Sequence, residues 1–301
     1  MDPVLPDILW FPLALGAALS FAAYNGFGKR VLKILSPFQL TFCSHMVFAV
    51  TVTLVLLVHR AVFPGQTFVV KSGFWPAIII TSTLNVIAYL LIFTGIRSSP
   101  LSVSVPYLSL TPVFIILTGW ILLRERVNVE GCIAVMAVAS GSWLLHSEAG
   151  TGIAVSLRKI LAEPGSRNLL FVAVIYSVSA VVDKVALIRS DILTFLFIAT
   201  WTRIILMLPV FVRSLKTSKL KLMPALISSM PVGLMLALEG FTHMSAISLG
   251  PVAYVIAVKR TSVLFSALLG FYYFGERKDR RIVGGILLMV GGAAALSILG
   301  T

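Results

Sequence analysis

The amino-acid sequence predicts an all-α membrane protein in which ten transmembrane helices form two inverted five-helix repeats around a central cavity. Three observations support this prediction. The chain is 58% hydrophobic and only 12% charged, with a mean hydropathy of +1.02. Apolar runs of about twenty residues, the length that spans a bilayer, recur along it. The second part of the chain also repeats motifs of the first, and cations stand in the middle of apolar runs.

The apolar runs define the predicted spans one by one. The first run follows Asp2 and Asp7 rather than basic residues and lacks a small-residue cleavage site. We therefore expect it to remain in the protein as a span and not to be removed as a leader. The ten predicted spans cover residues 8–28, 38–58, 75–96, 101–123, 129–146, 168–188, 192–212, 226–247, 251–274 and 282–299.

An internal repeat relates the fourth span to the ninth. The segment SSPLSVSVPYLSLTPVFIILTGWILLRER (98–126) aligns with LGPVAYVIAVKRTSVLFSALLGFYYFGER (249–277) at an offset of 151 residues. Each copy precedes a glycine-bearing apolar span, as expected for repeated structural units. Matched pairs include Pro100 with Pro251, Phe114 with Phe265, Leu117 with Leu268, Gly119 with Gly270, and Glu125-Arg126 with Glu276-Arg277.

The repeat divides the chain into two halves of five spans each. The first half covers residues 8–146 and the second covers residues 168–299, with residues 147–167 as a polar linker. Because five is odd, the two halves must begin on opposite faces of the membrane. Inverted repeats of this kind have two packings of similar energy and a site near the bilayer midplane. The sequence therefore predicts the architecture of a transporter.

The repeated pattern resembles the EamA repeats of the drug/metabolite transporter superfamily. The resemblance lies in the proline before the fourth span of each half, the glycine in that span and the Glu-Arg pair at its end. It covers nearly the whole chain. It implies a ten-helix permease whose helices surround a central cavity, with spans five and ten at the periphery or in a dimer contact.

Lys259 and Arg260 stand side by side within the predicted ninth span. A charge at the bilayer centre costs about 2.5–3.5 kcal/mol on insertion scales. Together with Arg203 in span seven, the pair predicts a site for the oxygens of a phosphate or carboxylate group. The alternative is that the cations neutralise Glu239, the only carboxylate that we place deep in a span. Arg203 is a second candidate partner of Glu239.

The Lys259-Arg260 pair also resembles a feature of one branch of the superfamily. The sugar-phosphate/phosphate translocators carry a Lys-Arg pair at the matching place in the ninth span, where it binds the substrate phosphate. Those translocators use a further lysine from the fourth span. In this sequence the corresponding stretch, SVPYLSLTPVF, offers Tyr107, Ser109 and Thr111 instead.

Several other polar side chains fall within predicted spans. Glu239 and His243 are four residues apart, hence on one helix face, and are candidates for coupling transport to protons. A hydrogen-bonded structural pair is the alternative. Asn85, Tyr107 and Tyr254 are candidate substrate ligands; helix–helix hydrogen bonding or packing is the alternative for each, as it is for His45.

Features at the ends and surfaces of spans suggest structural roles. Glu125 ends span four just before the next helix, so we expect it to cap the N-terminus of span five. Gly284, Gly285, Gly291 and Gly292 recur at a seven-residue interval on span ten. This spacing favours close helix packing, including a homodimer contact through that span.

The sequence also limits the classes of function. It contains no nucleophile, metal-ligand or phosphate-loop motif, so we expect no enzyme activity, no cofactor and no metal. The net charge of +13 is scattered through short connections, which favours contact with anionic lipids over nucleic acid. Apart from Arg203, Lys259 and Arg260, fifteen of the lysines and arginines fall on one predicted face of the membrane and six on the other. Their distribution places the termini outside the cytoplasm, opposite to the eukaryotic members of the superfamily.

The combined prediction is a secondary transporter that moves a small organic metabolite, anionic or zwitterionic, by alternating access. One alternative is an exporter of neutral amino acids or amphipathic drugs in which the buried cations are structural. A different class would be a non-transporting membrane scaffold subunit, for which inverted halves have no use. Short tails and loops favour a bacterial inner membrane.

Overall fold

The computed structural model describes residues 4–63, 70–98, 105–146, 163–218, 221–265 and 280–299. Within these ranges the chain forms ten α-helices, and a 3₁₀ segment (Val105–Leu110) precedes the fourth. The helices are α1 (Val4–Val31), α2 (Pro37–Val62), α3 (Phe74–Ser98), α4 (Thr111–Leu123), α5 (Val129–His146), α6 (Pro164–Leu187), α7 (Ile192–Ser218), α8 (Leu222–Leu249), α9 (Val252–Lys259) and α10 (Arg280–Leu299).

Five of the described helices are long and apolar enough to cross a bilayer, namely α2, α3, α6, α7 and α8. Shorter apolar helices cover residues 107–123, 129–144 and 284–299. Large apolar side chains such as Leu57, Ile79 and Ile205 are exposed on the outside of the bundle, where hydrocarbon replaces water as the solvent. The prediction of an all-helical membrane protein is confirmed. The inverted ten-span arrangement stays a prediction.

Local sequence explains where two of the long helices begin. Ser36 accepts a hydrogen bond from Gln39 N (3.3 Å) and its own N–H donates to Gln39 Oε1 (3.0 Å), so the first turn of α2 is closed by a capping box. Pro37 occupies the first turn, where its missing N–H is harmless. Pro164 starts α6 in the same way after Glu163, which accepts from Ser166 N (3.1 Å). Helix α6 therefore starts inside the predicted linker, whose residues 147–162 lie outside the described part.

The most extensive helix contacts join the two halves of the chain. Helix α1 packs on α8, α3 packs on α6, and α5 packs on α10. Smaller contacts join α2 to both α7 and α8, α3 to α7, α4 to α6 and α9, and α1 to α9. If each helix is replaced by the one five places away in the chain order, so that α1 and α6 change places, each of these pairs becomes another pair of the set or stays the same pair.

Helix α9 differs from the predicted ninth span. The helix ends at Lys259. A turn at Arg260 and Thr261 follows, after which residues 262–265 are helical again. Residues 266–279, which include the rest of the predicted span, lie outside the described part. At the turn, Arg260 N donates to both Ile256 O (3.0 Å) and Ala257 O (3.1 Å). The hydroxyl and the N–H of Thr261 both donate to Val258 O, at 2.7 and 3.0 Å. A threonine hydroxyl that binds the preceding turn competes with the regular helix ladder, which favours a break here.

Candidate functional site

A cavity of about 50 Å³ lies among α1, α2, α3, α6, α7, α8 and the end of α9. This volume accommodates a few water molecules, since each needs about 10–15 Å³. Six acidic, basic or histidine side chains line the cavity: Asp183, Arg203, Glu239, His243, Lys259 and Arg260. Asn85 also lines it. The structure thus brings together six of the eight residues that the sequence analysis singled out as ligands or coupling groups.

Lys259 and Arg260 leave the end of α9 in different directions. Adjacent residues of a helix differ by about 100° in azimuth, so the two side chains diverge at their origin. Lys259 reaches α8 and α1, where its ammonium lies 5.3 Å from the ring centroid of Phe21. Arg260 reaches α4 and α6, and its guanidinium carbon lies 5.9 Å from the ring centroid of Tyr176. Both are buried, with exposed fractions of 8% and 2%.

An ion pair joins Lys259 to Glu239 of α8. The sequence analysis had left open whether Glu239 would pair with the Lys259-Arg260 pair or with Arg203, and the structure selects Lys259. A buried ammonium beside a buried carboxylate offsets much of the cost of removing both from water. One of the three buried cations therefore already has an internal counter-ion.

Arg260 is held by a neutral partner. Its Nη2 donates to Thr111 Oγ1 (2.9 Å), at the start of α4. Its Nε is buried and has no hydrogen-bond partner among the described residues. Because a guanidinium carries five N–H donors in a fixed fork, Arg260 keeps unused capacity to bind an anion.

Arg203 of α7 is buried and lines the cavity. Its Nε has no hydrogen-bond partner in the part of the chain that the structure describes, and Arg203 does not belong to the ion pairs of that part. A buried guanidinium without a carboxylate is costly in a bilayer. Arg203 thus lines the cavity without a carboxylate bonded to it among the described residues.

Asp183 of α6 is a cavity residue that the sequence analysis missed. It is only 5% exposed and lines the cavity, so Glu239 is not the only buried carboxylate of the described site. A signal was nevertheless present: Asp183 follows Tyr176 and Ser179 at helical spacing, so all three share one face of α6.

A polar cluster surrounds Asp183 between α3 and α6. Thr81 Oγ1 donates to Asp183 Oδ1 (2.5 Å) and lies 3.1 Å from Ser179 Oγ. Asn85 Nδ2 donates to Ser179 Oγ (2.7 Å), to Thr81 Oγ1 (2.9 Å) and to Thr81 O (3.0 Å). Asn85 thus forms the helix–helix hydrogen bonds predicted as its alternative role and also lines the cavity, while its role as a substrate ligand stays a prediction.

The structure places Tyr107 and Tyr254 outside the cavity lining. Tyr107 packs on Trp143 of α5, with ring centroids 5.8 Å apart. Tyr254 donates to Asn128 Oδ1 (3.0 Å) and lies under Trp10. Tyr254 precedes Lys259 by five residues, which puts it about 140° away around the helix. The face of α9 that carries Lys259 to the cavity therefore turns Tyr254 away from it.

The two histidines that the sequence analysis considered have different surroundings. His243 lines the cavity one turn after Glu239, and its Nδ1 is buried without a partner among the described residues. His45 Nδ1 is 2.9 Å from Thr41 O within α2, and its ring lies edge-on to Tyr89 at 4.6 Å. His45 therefore packs between helices, while His243 faces the site.

Glu125 caps a different helix from the one predicted. Its Oε2 accepts from Val252 N (3.2 Å) at the start of α9, not from α5. Lys184 Nζ donates to Glu125 Oε1 (2.6 Å) and to Gly250 O (2.9 Å). The reason is that α4 ends at Arg124 in a left-handed conformation (φ 59°), after which the chain turns before α5 begins.

The glycines of α10 pack within the chain. A Cβ on Gly292 would meet Ala134 O of α5 at 2.8 Å, and one on Gly141 of α5 would meet Gly285 O at 2.6 Å. Close approach of α5 and α10 thus requires glycine on both helices. Gly291 has nothing within 4 Å of its Cβ position. A homodimer contact through this helix stays a prediction.

A bundle of apolar helices around a buried, charged cavity has the architecture of a membrane transporter. The sequence pattern of the EamA-like transporter family matches residues 8–147 and 165–298. The chain therefore belongs to this family, which confirms the resemblance and its assignment as a transporter and not an enzyme.

Two further comparisons agree with this assignment. An uncharacterized transporter of Archaeoglobus fulgidus is 25% identical over 283 residues, which cover 92% of this chain and 94% of the relative. A solved structure described only as the crystal structure of a protein shares the fold, with a TM-score of 0.72 at 16% sequence identity over 97% of each chain.

Proposed function

We propose that this protein is a secondary transporter for a small anionic or zwitterionic metabolite, which it moves by alternating access. The observation that carries this proposal is the charge of the buried cavity. Arg203, Lys259 and Arg260 outnumber Asp183 and Glu239 there, which leaves a formal excess of one positive charge. A guest with a net negative charge would neutralise that excess, and the carboxylate of a zwitterionic guest would pair with one of the cations.

Unused hydrogen-bond donors in the cavity support the same substrate class. The Nε atoms of Arg203 and Arg260 are buried donors without acceptors among the described residues. Leaving a buried donor unpaired costs about 1–3 kcal/mol, and more when the group is charged. The oxygens of a carboxylate or phosphate would supply the acceptors that both guanidinium groups lack.

The size of the cavity supports a conformational step. Sites for small organic ligands usually measure about 300–1,000 Å³, whereas this cavity measures about 50 Å³. A metabolite can therefore enter only if helices move apart. In the proposed cycle the cavity opens to each side of the membrane in turn and contracts between the two openings.

The helix contacts support two inverted repeats as the basis of that movement. The pairs α1–α8 and α3–α6 are exchanged when the halves are exchanged, whereas α2–α7, α4–α9 and α5–α10 map onto themselves. The family pattern also matches the chain in two stretches of similar length. We propose residues 8–146 and 168–299 as the two repeats, in a protein of a bacterial inner membrane.

A second candidate is an exporter of neutral amino acids or amphipathic drugs. The Lys259–Glu239 ion pair and the hydrogen bond from Arg260 to Thr111 favour it, because they give two of the cations internal partners. Aromatic rings in the lining, such as Phe21 and Tyr176, would suit an apolar guest. A scaffold role has no comparable support, because the family is one of transporters.

Transport assays in proteoliposomes distinguish these candidates. The wild-type protein and the Lys259→Ala, Arg260→Ala and Arg97→Ala variants are each purified and reconstituted. Uptake of phosphorylated, carboxylated, zwitterionic and neutral compounds is then measured for all four proteins. Arg97 is an exposed cation at the end of α3 and serves as the matched control. We expect Arg260→Ala to lower uptake of the carried anion at least tenfold and Arg97→Ala to leave it unchanged. Normal uptake by both cavity variants would refute the anion site.

A further inference from the structure

The two carboxylates of the cavity have different partners. Glu239 forms an ion pair with Lys259. Asp183 accepts a hydrogen bond from the neutral Thr81 (2.5 Å) and belongs to no ion pair of the described residues. Both carboxylates are 5% exposed, so burial does not distinguish them. Only the Asp183 charge is buried without a bonded cation.

The hydrogen-bond network at Asp183 can stabilise either of its protonation states. Asn85 donates to Thr81 Oγ1 (2.9 Å), and the Thr81 hydroxyl donates onward to Asp183 Oδ1. This directed chain supports the ionised carboxylate. When Asp183 carries a proton, its own O–H can donate to the cavity without breaking the chain, since the accepted bond uses one of two oxygens.

Helices α3, α7, α8 and α9 all pack on α6 and reach the cavity, and each brings a charged or titratable group to the surroundings of Asp183. Helix α4 brings the neutral Thr111 to Arg260, and on α6 itself Lys184 is turned to Glu125. The groups that line the cavity with Asp183 are Tyr89 of α3, Tyr176 of α6, Arg203 of α7, Glu239 and His243 of α8, and Lys259 and Arg260 at the end of α9.

These neighbours favour Asp183 over the two coupling candidates that the sequence suggested. Protonation of Glu239 would leave the buried Lys259 without its counter-ion, which is strongly unfavourable. Protonation of His243 would add another positive charge beside Lys259 and Arg260. Protonation of Asp183 breaks no ion pair and removes a buried charge.

We propose that Asp183 is the proton-binding site that couples transport to the proton gradient; this inference rests on the proposed function. A proton binds a carboxylate oxygen of Asp183 on one side of the membrane and leaves it on the other. While it is bound, the formal excess of positive charge in the cavity rises from one to two. An anionic guest then binds more tightly, so that proton and anion cross together.

Infrared difference spectroscopy tests the proton site without a transported compound. The wild-type protein should show the C=O stretching band of a buried protonated carboxyl that disappears as the pH rises between about 4 and 9, the range in which perturbed carboxyl groups titrate. The band should be absent in Asp183→Asn and present in Asp191→Asn, a matched change at an exposed aspartate before α7. A titrating band that persists in Asp183→Asn, or no such band in the wild type, would overturn the assignment.

A second variant covers the case in which Asp183→Asn does not fold. Thr81→Val keeps Asp183 but removes the hydroxyl that donates to it. An acceptor without its donor holds negative charge less well, so the pH at which the band is half lost should increase. An unchanged midpoint in Thr81→Val would contradict the assignment.

Proteoliposomes with a pH gradient test the coupling itself. Uptake of inorganic phosphate, succinate and alanine is measured with and without one unit of pH difference. One-to-one coupling allows up to about tenfold accumulation per unit, because one pH unit is a tenfold difference in proton concentration. Asp183→Asn should still exchange the compound across the membrane but should not accumulate it.

The outcomes separate the two proposals. If the wild-type protein carries a compound and accumulation ignores the pH gradient, proton coupling through Asp183 is wrong while the proposed function stands. If the wild-type protein carries none of the three compounds, nor any compound of the broader panel, the proposed function is wrong and the coupling role falls with it.

Discussion

From residues 8–146 the described cavity receives only uncharged side chains, namely Phe21, Phe48, Asn85 and Tyr89, whereas all its charged groups come from residues 168–299. The larger helix contacts show no such bias, because α1–α8 has its counterpart in α3–α6, α2–α8 in α3–α7, and α1–α9 in α4–α6. Helix packing imposes similar constraints on both halves. A small guest without internal symmetry instead makes different contacts with each half. The two proposed repeats therefore share their larger helix contacts but not the charges of the cavity.

The same contrast is visible at one pair of aligned positions. At the offset of 151 residues, Lys259 and Arg260 align with Leu108 and Ser109. Leu108 and Ser109 lie in the 3₁₀ segment before α4, whereas Lys259 ends α9 and Arg260 lies in the turn after it. Ser109 hydrogen-bonds to Ser142 of α5, whereas Arg260 faces the cavity. The aligned positions thus carry a residue bonded to a neighbouring helix in one half and a candidate ligand in the other.

The largest expected effect concerns the charges of the second half. Glu239→Ala should lower the free energy of unfolding by about 3–5 kcal/mol, because it leaves the buried Lys259 without a counter-ion. Adding Lys259→Met should recover most of that loss. Unfolding in mixed detergent micelles measures both. A double variant as unstable as Glu239→Ala would show that the ion pair is not what compensates Lys259.

A smaller effect should appear where the first half supports a cation of the second. Thr111→Val removes the hydroxyl that accepts from Arg260 Nη2 (2.9 Å). A hydrogen bond to a charged group contributes about 1.5–3 kcal/mol, so the free energy of unfolding should fall by that amount. In an Arg260→Met background the same substitution should have almost no effect. Equal effects in both backgrounds would mean that Thr111 acts independently of Arg260.

Close packing between the halves should give an effect of similar or lesser size. A Cβ on Gly233 of α8 would meet Val47 Cβ at 2.4 Å and Ser44 O at 2.7 Å, both on α2. Gly233→Ala should therefore destabilise the protein by about 1–3 kcal/mol through overpacking. Gly291→Ala is the matched control, because its Cβ has open space, and it should not destabilise the protein. Thermal unfolding of the two variants in detergent tests the difference.

The smallest expected effect tests whether the scaffold is equivalent in the two halves. Ser36 caps α2, and Asp191 accepts from Thr194 N (2.9 Å) at the start of the counterpart helix α7. Ser36→Ala and Asp191→Ala should each cost about 0.5–2 kcal/mol, the usual value of an N-cap. Thermal unfolding midpoints give the comparison. A large effect in one half and none in the other would contradict the structural equivalence of the repeats.

Several features could be predicted from the sequence because they depend on local composition and spacing. Long apolar runs require helices in a bilayer, so the all-helical membrane class follows directly. The aligned Pro, Gly and Glu-Arg motifs indicated the transporter family. The cost of charge in hydrocarbon also singled out Lys259, Arg260, Arg203 and Glu239, and all four line the cavity.

Other features depended on which helices pack together, and a pattern along one chain does not contain that information. Contact between α8 and α9 allowed Glu239 to pair with Lys259 and not with Arg203. Contact between α3 and α6 placed Asp183 beside Thr81 in the cavity, although it lies near the end of its span.

By itself the sequence determined the helical membrane class, the family and the buried cations. The class and the cations follow from composition along the chain, because the cost of transferring each residue into the bilayer depends on its own polarity. The family follows from the aligned motifs. Tertiary structure alone decided that Glu239 pairs with Lys259 and that Asp183 is a second carboxylate of the cavity. It also decided that Glu125 caps α9 and that Tyr107 and Tyr254 lie outside the cavity lining. These depend on distances between residues far apart in the chain, which only the packing of helices sets.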